Sequence, residues 1–186
     1  MSELFELYIN KNKNIFYIIN ILGGSLVLFS YGHGLSSHVD LRIQLWGNIP
    51  ISIKPYYTFN MLLATLGYFC FTSYILKAVI LSVKYQYHSS YIKKINLFYA
   101  GIIIPSIFWM PMTFRMLMDP SDLLWIAIKV VLIVVGLSAS SLMIFLIKSE
   151  IQVKDLHYYI ALIGIVPFWI QTMILDAIVW PYYFRV

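Results

Sequence analysis

The sequence predicts an all-α fold, a polytopic membrane bundle of five transmembrane helices with a long loop between helices 1 and 2. Two observations lead to this fold class. Hydrophobic residues make up 61% of the 186 residues and charged residues only 11%, which leaves too few polar side chains to coat a soluble domain. In addition, five apolar stretches each reach about 20 residues, the length that crosses the hydrocarbon core of a bilayer. The whole chain, residues 1–186, is therefore predicted to form a single transmembrane domain.

The five predicted spans cover residues 15–34, 58–83, 95–117, 122–147 and 157–183. The first of them could be a cleaved signal peptide or a retained helix. Acidic Glu3 and Glu6 precede Lys11 and Lys13, so the leader is not purely basic, and no small-residue cleavage site clearly follows. We therefore interpret this stretch as a retained helix.

The lysines in the loops predict how the bundle is oriented. With five spans, seven basic residues fall on the side of the N-terminus: Lys11, Lys13, Lys84, Lys93, Lys94, Lys148 and Lys154. Four fall on the other side: Arg42, Lys54, Arg115 and Arg185. Because short cytoplasmic loops carry the excess of basic residues, we expect the N-terminus inside and the C-terminus outside. These residues are scattered and form no patch, so the net charge of +5 indicates topology and not nucleic-acid binding.

The connection between the first two predicted spans, about 35–57, is long and not purely polar. Four apolar residues alternate with polar ones and precede Trp46: Val39, Leu41, Ile43 and Leu45. This period of two gives one wet and one apolar face. Two interpretations follow. The segment either lies as a lid over the mouth of the bundle, or it rests on the lipid headgroups.

Two opposite charges inside the spans are expected to interact. Lys129 and Asp176 each lie about seven residues from the predicted outer end of their helix, which is roughly 10 Å deep at 1.5 Å per residue. Ionisable residues at such depth are costly unless they are paired. We therefore predict an ion pair between Lys129 and Asp176, which is either purely structural or lines the polar part of a pocket.

Aromatic residues near the same end predict a pocket for a ligand. The candidate ligand-binding residues are Trp46, Phe108, Trp109, Trp169, Met173, Asp176 and Trp180. Those on the fifth span lie close to one helical face. An apolar, aromatic cavity with one or two polar groups suits a flat hydrophobic ligand. The competing interpretation is a belt of aromatic side chains at the membrane interface.

Catalysis is poorly supported by the residue patterns. The four histidines form no pair four residues apart, and neither zinc-ligand spacing nor a phosphate-binding or nucleophile motif occurs. We expect no enzymatic activity, no metal and no cofactor. The alternative function is a non-catalytic structural or assembly subunit of a larger membrane complex.

Two local motifs and the predicted topology resemble the TspO/MBR family, the tryptophan-rich sensory or translocator proteins. Pro55 and Phe59 precede the pair Gly67-Tyr68, as in the second helix of that family. Near the C-terminus, Leu175-Asp176-Ala177-Ile178-Val179-Trp180 has the spacing of the family's Leu-Asn-x-x-x-Trp motif, with aspartate in place of asparagine.

The sequence departs from the family pattern at other positions. Trp46 and Pro50 are spread along the first loop where the family has Trp-x-Pro-Pro, and Lys129 falls where an aspartate is frequent. The resemblance implies binding of porphyrins, haem-related tetrapyrroles or sterols, for transport or sensing, between the helices under the first loop. The implied partners are the lipid bilayer and this ligand, with a homodimer or a larger membrane complex left open.

Overall fold

The structure of the chain, a computed structural model, describes residues 2–77, 89–148 and 155–184. Within these ranges the chain is helical, with two short 3₁₀ turns and no β-strand. The α-helices are α1 (Ser2–Tyr17), α2 (Gly24–Ser37), α3 (Lys54–Ile75), α4 (Ser89–Met118), α5 (Asp122–Lys148), α6 (Leu156–Trp169) and α7 (Trp180–Tyr183). A π-helical stretch, Ile18–Gly23, joins α1 to α2, and a second, Ile170–Val179, joins α6 to α7.

Four helical rods in the described residues are long and apolar enough to cross a membrane. They are Asn10–Ser37, Ser90–Met118, Asp122–Lys148 and Leu156–Tyr183. These rods contain the first, third, fourth and fifth predicted spans, apart from small shifts at their ends. The all-α class and the multi-pass membrane architecture are therefore confirmed. The second predicted span, 58–83, coincides with the 22-residue helix α3 up to Ile75, and its last residues lie outside the described part of the chain, as do Lys84, Lys154 and Arg185.

Local sequence signals set several helix ends. Asp155 caps α6, because its side chain accepts a 2.9 Å hydrogen bond from the backbone N–H of Tyr158. Pro55 stands in the first turn of α3, where its missing N–H costs nothing. Asp122 begins α5 and Lys148 ends it, so both charges complement the helix dipole.

Small residues allow the helices to approach closely. α3 packs along α6, α4 along α5, and α2 against α4. A Cβ atom on Gly67 would overlap the backbone carbonyl of Gly164, and one on Gly101 would overlap the Ser138 hydroxyl. In lipid, where burial of apolar surface gives little driving force, such close contacts supply the packing energy between helices.

A central core fills the middle of the bundle. Its buried aromatic and aliphatic residues include Phe16, Phe71, Ile75, Tyr99, Ala139 and Ile165. A second group of buried residues lies at the connection end, the end of the bundle that holds residues 38–53 between α2 and α3. Its members are Ile49, Tyr57, Met116, Ile128, Leu132, Trp180 and Phe184.

The connection between α2 and α3 differs from its predicted form. It is shorter than predicted, residues 38–53, because α2 continues to Ser37 and α3 begins at Lys54. The expected alternation of faces is wrong, since Val39–Leu41 and Ile43–Trp46 form 3₁₀ turns with a period near three. As a result Val39 and Ile43 are 56% and 79% exposed and form no apolar underside.

The connection is fastened to the C-terminal end of the chain. The indole N–H of Trp180 donates to the carbonyl oxygen of Leu45 at 2.8 Å, and the backbone N–H of Asn48 donates to the carbonyl oxygen of Tyr183 at 2.9 Å. Gly47 has a φ of 54°, and a Cβ there would meet the backbone of Phe184. Only glycine combines this backbone angle with so close an approach. The connection is thus held against the last helix.

Candidate functional site

The site lies at the connection end and depends on the π-helical stretch Ile170–Val179. Pro167, one turn before this stretch, lacks the N–H that an α-helix needs, and the chain continues with π-helical bonds from residue i to i+5. Residues five apart therefore come close together. Gln171 and Asp176 are such a pair, and the side-chain N–H of Gln171 donates to Asp176 Oδ1 at 2.8 Å. Short π-helical segments are frequent at functional sites.

A polar network from α3 orients the Asp176 carboxylate. The Tyr57 hydroxyl donates to the same oxygen, Oδ1, at 2.5 Å. Asn60, one turn further along α3, donates to Gln171 Oε1 at 3.0 Å and to the carbonyl oxygen of Pro167 at 3.1 Å. Gln171 is therefore held in the orientation that presents its N–H group to Asp176. Within the described residues, no hydrogen bond or ion pair reaches the other carboxylate oxygen, Oδ2.

Aromatic rings surround this polar group. We define the aromatic cluster as Tyr31, Trp46, Tyr57, Trp109, Trp125, Trp180 and Phe184. The ring of Trp109 lies 5.5 Å from that of Tyr31 and 5.7 Å from that of Trp180. Trp180 stacks on Phe184 at 4.2 Å, and Trp46 lies edge-on to Tyr57 at 5.6 Å. Tyr57 belongs to the cluster and its hydroxyl donates to Asp176, so the cluster and the carboxylate form one site.

The indole nitrogen of Trp109 is buried without an acceptor. Its N–H group has no hydrogen-bond partner in the described residues, whereas the indole of Trp180 donates to Leu45 and that of Trp169 donates to Ser140 Oγ at 2.8 Å. Buried polar groups in proteins are nearly always paired, and an unpaired one costs about 1–3 kcal/mol. The cluster thus contains a donor that is ready for an external acceptor.

The structure brings together some of the predicted ligand-binding residues and separates others. Trp46, Trp109, Asp176 and Trp180 all belong to the site at the connection end. The inclusion of Phe108 is wrong, because its side chain is 54% exposed on the surface of α4. Its neighbour Trp109 points elsewhere because successive helical residues diverge around the axis.

Trp169 and Met173 lie against α5 and outside the aromatic cluster. Trp169 donates to Ser140, and the Met173 sulfur stands 2.8 Å from the position that a Cβ on Gly136 would occupy. Both side chains fill the contact between α5 and the last helical rod. They are packing residues in this structure.

The predicted ion pair between Lys129 and Asp176 is not formed. Asp176 accepts hydrogen bonds from Tyr57 and Gln171, and the ammonium group of Lys129 lies 5.4 Å from the ring centre of Trp125. The prediction placed Lys129 and Asp176 at the same depth in the membrane by assuming α-helical geometry along the whole fifth span. The π-helical stretch winds differently, which turns Asp176 toward α3 and away from Lys129.

Six further residues of the site were not predicted: Tyr31, Tyr57, Asn60, Trp125, Gln171 and Phe184. Asn60 and Gln171 could have been found, because uncharged polar residues inside apolar stretches are also functional candidates in a membrane. Tyr57 could not, since it precedes the predicted second span and meets Asp176 across 119 residues of sequence. Tyr31 lacks any pattern that separates it from other aromatic residues.

The described residues contain no group of three or more histidine, cysteine, aspartate or glutamate side chains that could hold a metal ion. The polar groups of the site are the Asp176 carboxylate, side-chain amides, hydroxyls and the indole of Trp109. Such groups can bind a ligand by hydrogen bonds and charge. Compared with known protein families, characterised proteins and solved structures, the chain matches none.

Proposed function

We propose that this protein is an integral membrane binding protein, acting as a transporter or sensor, for a hydrophobic ligand with a flat body. The ligand enters the aromatic cluster beneath the connection of residues 38–53. The observation that carries the proposal is the buried indole N–H of Trp109 without an acceptor. A ligand that is apolar over most of its surface and carries one acceptor satisfies both the cluster and this donor.

The proposal includes five membrane spans, with α3 as the second and the N-terminus inside. Its support is the packing of α3 along α6, which belongs to the apolar rod Leu156–Tyr183. At 1.5 Å per residue the 22 residues of α3 extend about 33 Å, which is enough to cross the hydrocarbon core. The lysine excess on the N-terminal side supports the orientation.

The resemblance to the TspO/MBR family suggests the class of ligand, a tetrapyrrole or a sterol-like molecule. Two residues of the motif that carries the resemblance, Asp176 and Trp180, contribute to the site. Trp180 also holds the connection through Leu45. A residue pair that touches both the site and its cover is well placed to couple ligand binding to movement of the connection.

A titration in lipid nanodiscs tests the proposal. Protoporphyrin and cholesterol serve as probes, and quenching of tryptophan fluorescence and calorimetry report binding. We expect saturable binding of one of them to the native protein, and about fivefold weaker binding to Trp109→Phe, since one hydrogen bond of about 1 kcal/mol is lost.

Trp169→Phe is the matched control, because it removes an indole N–H that is already paired with Ser140 outside the cluster. It should bind the probe as the native protein does. Equal weakening by both substitutions would contradict the proposal. Lack of saturable binding by both probes would exclude a tetrapyrrole or a sterol-like molecule as the ligand.

A second candidate, a structural subunit of a membrane complex, is favoured by the surface of the first rod. Leu28 and Phe29 of α2 are 75% and 68% exposed, and a Cβ on Gly24 or Gly32 would meet nothing within 4 Å. Small residues beside exposed apolar ones are typical of helix–helix contacts in lipid. Cross-linking of cysteines placed at Gly24 and Gly32, to a second copy or to another subunit, would support this role.

A further inference from the structure

We infer that the ligand of this site carries a protonated amine, which pairs with Asp176. The inference rests on the proposed function and specifies it, because it names the chemical group that the polar side of the site recognises. It assigns to the site a hydrophobic amine with an aromatic or alicyclic body, which also carries an acceptor for the Trp109 N–H. This ligand class differs from the acidic porphyrins and neutral sterols that the family resemblance suggests.

Only one oxygen of the Asp176 carboxylate accepts hydrogen bonds in the described part of the chain. Both of its hydrogen bonds, from Tyr57 and Gln171, end on Oδ1, and Oδ2 receives none from the described residues. An ionised carboxylate can accept about four hydrogen bonds. The network therefore holds the group in a fixed orientation and leaves one oxygen available. A ligand N–H bound there makes a charge-assisted bond, which is about twice as strong as a bond between neutral groups.

No cation of the described chain neutralises this carboxylate. The basic side chains at the connection end have other contacts: Arg42 donates to the carbonyl oxygen of Leu35, Arg115 pairs with Asp119, and Lys54 and Lys129 lie over the rings of Trp46 and Trp125. Asp176 is only partly buried, so a cationic group of a ligand can reach Oδ2 and supply the opposite charge.

The rings around the site are also suited to a cation. Tyr31, Tyr57, Trp109 and Trp180 all belong to the cluster, and the faces of such rings attract ammonium groups. A ligand with its own carboxylate would instead place two negative charges together in an apolar region, which is unfavourable. The site thus favours an amine over a neutral alcohol, and an alcohol over an acid.

Three probes that share one ring system and differ in their polar group test the order. Naphthylmethylamine, naphthylmethanol and naphthylacetic acid are titrated by calorimetry into the protein in phosphatidylcholine nanodiscs, with empty nanodiscs as the blank. We expect the amine to bind about tenfold more tightly than the alcohol, and the acid to bind most weakly. In Asp176→Asn the amine should bind within about twofold of the alcohol.

Asp119→Asn is the matched control, because it makes the same substitution at the exposed partner of Arg115. It should retain the native order. If Asp176→Asn does not fold, the order of the three affinities in the native protein still tests the inference. An alcohol or acid that binds as tightly as the amine overturns the inference, and so does the absence of saturable binding by all three probes. The proposed function fails with it only if protoporphyrin and cholesterol also show no saturable binding.

Discussion

The central core and the connection end are both rich in aromatic rings, but they differ in how their polar atoms are satisfied. In the central core the Tyr68 hydroxyl donates to Asn20 at 2.7 Å, and the hydroxyls of Thr72 and Tyr99 share a bond of 2.8 Å. Asn96 Oδ1, next to core residue Ile95 on α4, is also buried without a partner in the described residues. At the connection end the same holds for the indole N–H of Trp109, and Asp176 Oδ2 receives no hydrogen bond from the described residues. The connection end therefore differs because an unpaired donor and a carboxylate with one unused oxygen occur together, and not because of aromatic content or of a single unpaired atom.

The largest loss of stability is expected from a substitution that disrupts the close packing beside the central core. Gly67→Ala places a Cβ atom on the backbone carbonyl of Gly164, so α3 and α6 must move apart. We expect a loss of about 3 kcal/mol in the free energy of unfolding, at the upper end for overpacking. Thermal unfolding in detergent, followed by circular dichroism, measures it. Gly24→Ala is the control, because nothing lies within 4 Å of its Cβ. Equal stability of the two variants would refute the α3–α6 contact.

The next prediction compares one buried polar group from each region. Tyr99→Phe removes a hydroxyl that is paired with Thr72 in a fully buried position, and should lower the free energy of unfolding by about 1–2 kcal/mol. Trp109→Phe removes an N–H that has no partner, and should change it by less than about 0.5 kcal/mol or stabilise the free protein. A large loss in Trp109→Phe would mean that this N–H is satisfied and that the two regions are alike.

A smaller effect is expected when a hydrogen bond that fastens the connection to the last helix is removed. Trp180→Phe keeps a ring against Phe184 but removes the hydrogen bond to Leu45. The connection should open more often, and ligand release should become about five times faster for the loss of a bond of about 1 kcal/mol. Stopped-flow fluorescence with whichever probe binds gives the rate. Tyr182→Phe, at an exposed ring, should release at the native rate, and an unchanged rate in both variants would show that the connection does not gate the site.

The smallest effect concerns the two charges that do not pair. Lys129→Met should change the free energy of unfolding by less than about 1 kcal/mol, because it removes only the contact of the ammonium group with the Trp125 ring. Combined with Asp176→Asn, its effect should add to that of the single variant within about 0.5 kcal/mol. Recovery of stability in the double variant would indicate that Lys129 and Asp176 form an ion pair after all. It would contradict the hydrogen bonds that Asp176 makes in this structure.

The fold could be predicted further than the site because the two depend on different properties of the sequence. Span length follows from apolar composition, which tertiary contacts do not alter. Membership of the site depends on helix winding and on contacts far apart in sequence. Trp109 and Asp176 were predicted because rings and charges inside spans are visible in the sequence. Gln171 is visible as a polar residue inside an apolar stretch, but its contact with Asp176 exists only in a π-helix, and α-helical periodicity gives no sign of that contact.

The π-helical stretch also has a consequence for the evolutionary history of this chain. An amide and a carboxylate that meet at a spacing of five residues in a π-helix would meet at a spacing of four in an ordinary α-helix. An ancestor or relative with regular winding would therefore carry the counterpart of Gln171 four residues before its acidic residue, with one residue fewer between Pro167 and Trp180. An alignment that allows a gap there would place functionally equivalent residues in the same columns, and an ungapped alignment would not.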